Sequence, residues 1–410
     1  MNINNKTKLI ILFLTFIMIC PLDIFALEYP EINSKITEIY DLTNKEVVYE
    51  IDSNKQASIA SLTKIVTTIT AIESISNLDE KVTITQDMLD TVRWDASKAG
   101  LKAGDKLTYK DLLYASMLPS GADATNSIAI LSSGSIDNFV SKMNKLVTKL
   151  GLKNTHFVNV TGLDAEGHYS TADDIRKILE YALKNELFRE IYTTKKYTLS
   201  NGLTFNSTIK KYNASSGMDT SKILGSKTGF TGEAGYCLST LSNINSHEFI
   251  VIVLNAEYKD NKYYNIVDSI NLIDFLTEHF KNQVLVKKEK VVKKLPVRLS
   301  KTDIYEIKAK KNVTLYLPDD YDKDKLKIKY TGPDHLSFMN KPEKKIGTIA
   351  YYYDNKLITK ENVILNSKLE ISIGKILKKY FYVFIILFIL LILIIRPKKK
   401  KKKKVKLRKK

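Results

Sequence analysis

Apolar and polar residues alternate through "KITEIYDLTNKEVVYEID", Lys35 to Asp52, with a break at Thr43-Asn44-Lys45. That pattern predicts two strands joined by a tight turn. From Ser61 to about Glu190 the period becomes helical, with loops between the segments. "KDLLYASML", "IDNFVSKMNKLVTKLG" and "TADDIRKILEYALKN" each carry one apolar face, and the second stops at Gly151, a helix-ending residue. "GYCLSTLSNINSHEFIVIVLNAE" returns to strand–turn–strand, and "YYNIVDSINLIDFLTEHF" closes the unit as an amphipathic helix. Strands at both ends with helices between them predict one antiparallel sheet shared by the two ends. After about Gln283 short alternating runs are separated by turns at Pro318-Asp319-Asp320, Gly332-Pro333-Asp334 and Asp354-Asn355. They predict a small all-β module, read as a sandwich.

Two apolar stretches interrupt this globular pattern. Lys6 and Lys8 precede Leu9 to Cys20, followed by Pro21 and a short exit near Ala26, which reads as an export signal over 1–26. Ile24 suits cleavage after Ala26 poorly, so an uncleaved anchor is the alternative. Near the other end, Tyr380 to Ile395 runs for sixteen residues without a charge. With Lys375, Lys378 and Lys379 snorkelling, the stretch extends back to 373 and predicts a short membrane-spanning helix over 373–395. An interfacial helix is the rival, but Phe381 to Ile395 has no polar face.

The 410 residues carry a formal charge of +19, a value that suggests nucleic acid until its distribution is considered. Twelve basic residues and no acid lie between Arg396 and Lys410, leaving +7 for everything before. The excess is one tail, better suited to anionic lipid than to nucleic acid. The positive-inside rule puts that tail in the cytoplasm and residues 27 to about 374 outside. With Cys20 in the export segment, Cys237 is the one mature cysteine, so no internal disulfide forms.

Three elements carry the candidate chemistry. Ser61 and Lys64, in "QASIASLTKIVTT", stand one helical turn apart in an apolar run. The same spacing recurs at Ser207–Lys210 and Ser372–Lys375, so alone it leaves a solvated surface pair equally open. Ser120, in "LPSGADATN", lies in a loop before a helical run. Lys227-Thr228-Gly229, in "GSKTGFTGEAGYC", reads as preceding a strand. The order serine–lysine, serine loop, Lys-Thr-Gly is that of serine β-lactamases and penicillin-binding proteins. A serine hydroxyl needs a partner to take its proton, and a lysine serves only when neutral. Apolar burial of Lys64 and a second cation, Lys227, would both disfavour its ammonium form. The five histidines show no His-Glu-x-x-His spacing, which disfavours a zinc peptidase.

The segments "ASLTK", "GLKNTHFVNVTGL", "EGHYSTADD" and "SKTGFTGEAGYC" resemble the low-molecular-weight penicillin-binding proteins, the serine-type D-alanyl-D-alanine carboxypeptidases of peptidase family S11. The likeness runs from about Tyr29 to Phe280, and "EKKIGTIAYYYDNKLI" is similar to the family's C-terminal β domain. It implies an α+β, β-lactamase/transpeptidase-like fold, a five-stranded antiparallel sheet with a helical subdomain. The expected organisation is a signal peptide (1–26), a catalytic domain (27–282), a β domain (283–372), a transmembrane anchor (373–395) and a basic tail (396–410).

The resemblance also assigns roles. Ser61 would be the acyl-ester nucleophile, Lys64 its proton acceptor and Ser120 a relay toward the leaving amine. Lys227 and Thr228 would hold the substrate carboxylate. The N–H groups of Ser61 and Phe230 would form the oxyanion hole, with Gly229 allowing close approach. One position departs: where the family usually has asparagine two residues after its second serine, this chain has Ala122. Asn126 would face elsewhere on the helix, whereas Asp123 matches the acid that follows in the family. His168, in a segment placed near the cleft, is read as a hydrogen-bonded structural residue ahead of a catalytic base.

The implied activity is hydrolysis of the terminal D-Ala-D-Ala bond of peptidoglycan stem pentapeptides, with β-lactams as covalent inhibitors and neither metal nor organic cofactor. The enzyme would be held in the cell membrane by a single C-terminal pass. A β-lactamase is one rival; a catalytically weak wall-binding paralogue, suggested by Ala122, is another.

Overall fold

The computed structural model describes residues 27–210 and 217–395. The export-signal segment 1–26 and the basic tail 396–410 lie outside the described residues. The chain divides into two compact units between Lys281 and Asn282.

In the first unit the predicted hairpin forms β1 (Ile36–Asp41) and β2 (Glu46–Ile51), antiparallel around Thr43-Asn44-Lys45. β3 (Ile223–Thr231), β4 (Gly235–Ile244) and β5 (His247–Ala256) come from the far end of the unit. The sheet order is β2-β1-β5-β4-β3, antiparallel throughout, so strands from both ends share one sheet. β5 reads "FIVIVL" without alternation because both faces of the sheet are covered. Helix α5 (Ala172–Ala182) packs against β1 and β5, and α7 (Tyr264–His279) packs against β4 and β5.

Between the sheet segments lie α1 (Thr63–Ser74), α2 (Tyr109–Met117), α3 (Ala122–Ser133), α4 (Ile136–Lys149) and α6 (Glu186–Thr193). Every residue of α1 from Thr63 to Ala71 is buried, so this helix is the axis of the subdomain. α2, α3 and α4 pack in turn beside it. The chain enters α1 through a single 3-10 turn, Ala60–Leu62, so Ser61 sits on that turn and Lys64 on the helix proper. Side chains three apart eclipse in such a turn, and the expected stacking of the pair survives the tighter geometry.

Lys227-Thr228-Gly229 precedes the strand β4, as the sequence predicts, but it also lies inside a strand of its own, β3. The run "GSKTG" has no alternation to betray it. Its ladder to β4, with Lys227 opposite Ser239, Thr228 opposite Leu238 and Gly229 opposite Cys237, imposes the conformation. β3 ends the sheet order, so one of its sides is an edge.

The second unit is a small all-β module with its own apolar core, including Val286, Leu295, Leu336, Ile349, Tyr351 and Leu365. Its strands form three small sheets, of which Leu326–Thr331, Lys345–Tyr353 and Lys356–Ile364 make the most regular. Asp354 and Asn355, both in the left-handed region, close the last hairpin as the sequence predicts. Helix α8 (Ile373–Ile395) follows, with a mean hydropathy of 2.5 over its most apolar window, long and apolar enough to cross a membrane. Lys375, at the start of this helix, donates to the Ser300 carbonyl at 2.7 Å and pairs with Asp303.

Candidate active site

The site begins with how the Ser61 turn is held. Ala60 takes a φ of +47°, a strained conformation for a residue with a Cβ. Two glycines pack against that turn. A Cβ on Gly162 would come within 1.8 Å of the Ala60 carbonyl oxygen; one on Gly229 would meet Ser61 N and Ala60 Cβ at 3.0 Å. Gly229 is thus where β3 backbone abuts nucleophile-turn backbone.

Lys64 Nζ lies 2.9 Å from Ser61 Oγ and donates to the Thr161 carbonyl at 2.8 Å. Burial lowers the Lys64 pKa to about 7, with Asp123 opposing the shift. Thr161 belongs to the turn "NVTGL", closed by Asn159, whose Oδ1 accepts the N–H groups of Thr161 and Gly162. Thr67 on α1 anchors the same turn by donating to the Val160 carbonyl at 2.7 Å.

Ser120 lies in the loop between α2 and α3 with a φ of +64°. Lys227 Nζ donates to Ser120 Oγ and to the Thr228 carbonyl, each at 2.9 Å. Fully buried, Lys227 is pushed well below the usual lysine range, by desolvation first and by the Lys64 charge second. Burial holds both lysines below the usual range, and the charges of the two disfavour one another, as the sequence reading expects. Two neighbouring ammonium groups so deeply buried are not both favoured at once.

Ser61, Ser120, Thr228, Gly229 and Phe230 all line one cavity of about 640 Å³, whose other walls include Asp95, Ser97, Thr208 and Lys210. All seven sequence-predicted residues therefore converge, with Lys64 and Lys227 behind the wall, each bonded to one of the two serines. Ala122 is buried, and its N–H donates to the Ser97 carbonyl at 2.7 Å. Asn126 turns away, donating to Thr91 Oγ1 at 2.9 Å. Asp123 accepts from the N–H groups of Ala99, Gly100 and Leu101, fixing the loop that carries Asp95 and Ser97. His168 is buried below the site. Its Nδ1 accepts the Val158 N–H, so Nε2 carries the proton and donates to Thr63 Oγ1 at 2.9 Å.

Sequence reasoning missed Thr161 and Asp164. Asp164 Oδ1 accepts from Ser58 Oγ at 2.8 Å and Thr231 Oγ1 at 2.7 Å, clamping the Ser61 approach to the end of β3. The one available signal was Gly162, whose φ of +84° makes "NVTGLD" a fixed turn. Among the described residues no cluster of metal-ligating side chains occurs.

Residues 24–258 match the family model described as D-alanyl-D-alanine carboxypeptidase, more than half of the chain. The chain belongs to the D-alanyl-D-alanine carboxypeptidase family. Residues 280–370 match the C-terminal domain of penicillin-binding protein 5, so both units have family counterparts. This carboxypeptidase is 31% identical over 332 residues to the D-alanyl-D-alanine carboxypeptidase DacF of Bacillus subtilis (strain 168), covering 78% of this chain and 81% of that protein. It is 29% identical over 347 residues to DacA of Escherichia coli (strain K12), covering 82% and 83%. Among solved structures, the Streptomyces K15 DD-transpeptidase is 30% identical, with a TM-score of 0.55, over 60% of this chain and 98% of that one. Penicillin-binding protein 5 from Haemophilus influenzae, 23% identical with a TM-score of 0.58 over 84% and 100%, shares the fold. The carboxypeptidase thus has a penicillin-binding, transpeptidase-like fold with a C-terminal all-β domain and an apolar helix.

Proposed function

We propose that this serine-type carboxypeptidase trims the terminal D-alanine from peptidoglycan stem pentapeptides at the cavity lined by Ser61 and Ser120. The observation that carries the reading is the pairing of each serine with its own buried lysine, Lys64 with Ser61 and Lys227 with Ser120.

Neutral Lys64 gives one N–H to the Thr161 carbonyl and turns its lone pair to the Ser61 O–H. Ser61 Oγ attacks the carbonyl carbon between the last two D-alanines, and its proton passes to Lys64. The oxyanion that develops is held by the N–H groups of Ser61 and Phe230. The C–N bond then breaks, the amine leaves with a proton delivered through Ser120, and the acyl group stays on Ser61. Water attacks the ester and restores the hydroxyl. Thr228 and Lys227 hold the terminal carboxylate, whose charge favours the ammonium form of Lys227 on binding.

The domain limits follow the sequence reading: catalytic unit to 282, β domain to 372, anchor over 373–395. The anchor keeps the catalytic unit outside the cell and near its substrate. The β domain, with its penicillin-binding counterpart, supports this reading over a β-lactamase. Ala122 favours a slower enzyme than one with an asparagine there, since a methyl group offers the substrate amide nothing.

The test is mass spectrometry after incubation with a penicillin. An adduct confined to the peptide containing Ser61, together with D-alanine release from a pentapeptide, is expected. Full activity in Ser61→Ala, or rapid drug turnover without an adduct, refutes the assignment.

A further inference from the structure

The loop from Thr91 to Leu101 lies at the cavity wall, with no role in the chemistry just described. It is rigidly tied. Asn126 holds Thr91, Asp123 holds Ala99 to Leu101, and the Ser97 carbonyl accepts from Ala122. On it stand Arg93 and Asp95, paired through two contacts, Nη2 to Oδ2 at 2.7 Å and Nε to Oδ1 at 3.2 Å. Arg93 Nη1 also reaches the Asp164 carbonyl at 3.4 Å. Asp95 lines the cavity. Trp94 between them, the one tryptophan of the chain, is 88% exposed.

Position along β3 decides what this pair faces. A substrate laid along the edge of β3 with its carboxylate at Lys227 and Thr228 extends its upstream residues toward Phe230 and Thr231. Thr231 is bonded to Asp164, the same residue whose carbonyl Arg93 touches. The Arg93–Asp95 pair therefore lies on the upstream side. Stem peptides carry a diamino acid there, with a side chain that ends either in an ammonium alone or in an ammonium plus a carboxylate.

We propose that Arg93 and Asp95 form a subsite that reads a zwitterionic side-chain end, Asp95 taking the ammonium and Arg93 the carboxylate. The inference rests on the carboxypeptidase reading and names its preferred substrate class. An exposed ion pair contributes little by itself, so opening it costs little. An inserted zwitterion makes two charge-assisted contacts in its place. A side chain ending in ammonium alone satisfies Asp95 but leaves Arg93 without the added carboxylate. One charged hydrogen bond is worth ~10- to 100-fold in kcat/KM.

The experiment uses the full chain in detergent and four pentapeptides differing only at the third residue. Their side chains end in ammonium and carboxylate, in ammonium with that carboxylate amidated, in a lysine ammonium, and in the methyl of norleucine. D-alanine release gives kcat/KM, and penicillin acylation is followed separately. The zwitterionic peptide is expected to exceed the amidated one by at least ~10-fold. Arg93→Gln should erase that gap, and Asp95→Asn should erase the advantage of lysine over norleucine, both with unchanged melting temperature. Trp94 fluorescence should report tighter saturable binding of the zwitterionic than of the amidated peptide in the native chain, and equal binding of the two in Arg93→Gln. Equal kcat/KM for all four peptides in the native chain, with normal penicillin acylation, overturns the subsite while leaving the carboxypeptidase reading intact. Failure of both acylation and D-alanine release overturns that reading itself.

Discussion

Lys64 stands where no water can hold a charge, and the consequences are measurable residue by residue. Burial brings its pKa from 10.5 to about 7. The neutral amine, the form able to take the Ser61 proton, therefore predominates above pH 7 and falls tenfold per pH unit below it. The rate of penicillin acylation should rise with unit slope to about pH 7 and then level. A profile flat from pH 5 to 8, or a midpoint above 9, would mean that another group takes the proton. His168 gives a prediction of stability. Its pKa drops from 6.5 to about 4, chiefly by desolvation, so the unfolded chain binds the proton first as the medium is acidified. The contribution is fully present above pH 6.5 and is lost as pH falls toward 4, a total of about 3 kcal/mol. His168→Asn retains an acceptor for Val158 N–H and has no proton to gain. Its unfolding free energy, compared with that of the native chain by denaturant titration between pH 7 and 4, should escape a loss of that size. Parallel curves for the two proteins would contradict the buried neutral imidazole.

At the scale of elements, the site is an assembly of turns held by carboxylates and amides distant in sequence. Asp123 starts α3 and receives three N–H groups from residues 99–101. Asp123→Asn keeps the volume but turns one acceptor into a donor facing those N–H groups. A loss of about 2–4 kcal/mol is expected, read as a lower melting temperature. Because the same loop carries Asp95 and Ser97, pentapeptide KM should also rise. An unchanged melting temperature would show that the loop is held by something else. This clamp also marks where the sequence ceases to be legible. Alternation exposed the hairpin of β1 and β2, the β4–β5 pair and the helices, because their periods are local. Ser61, Ser120 and Lys227 were found by motif order. The strand character of Lys227-Thr228-Gly229 stayed hidden because it comes from pairing with β4, not from propensity. Thr161 and Asp164 act through contacts 97 residues from Lys64 and 106 from Ser58, separations to which no local pattern reports.

For the whole molecule, the prediction to be tested is the proposed anchoring through α8. α8 spans 23 residues, roughly 35 Å of helix at 1.5 Å per residue, enough for the hydrocarbon layer. Two other features are basic enough to favour anionic lipid and have to be separated from it. One is the tail beyond Ile395; the other is the β module, where residues 282–372 carry twenty Lys and Arg against twelve Asp and Glu. A chain ending at Ser372 removes α8 and the tail together but keeps the module's +8. Residual attraction to anionic headgroups is electrostatic and largely screened at 1 M salt, where the Debye length is about 3 Å. Apolar insertion is not weakened by salt. The native chain should therefore stay with membranes at 1 M salt and leave them only in detergent, whereas the chain ending at Ser372 should enter the supernatant. Retention of the shortened chain at high salt would transfer the anchoring role to the apolar segment Leu9 to Cys20, as an uncleaved export signal. Release of the native chain at high salt would show that charge alone had held it, and that α8 does not cross the bilayer.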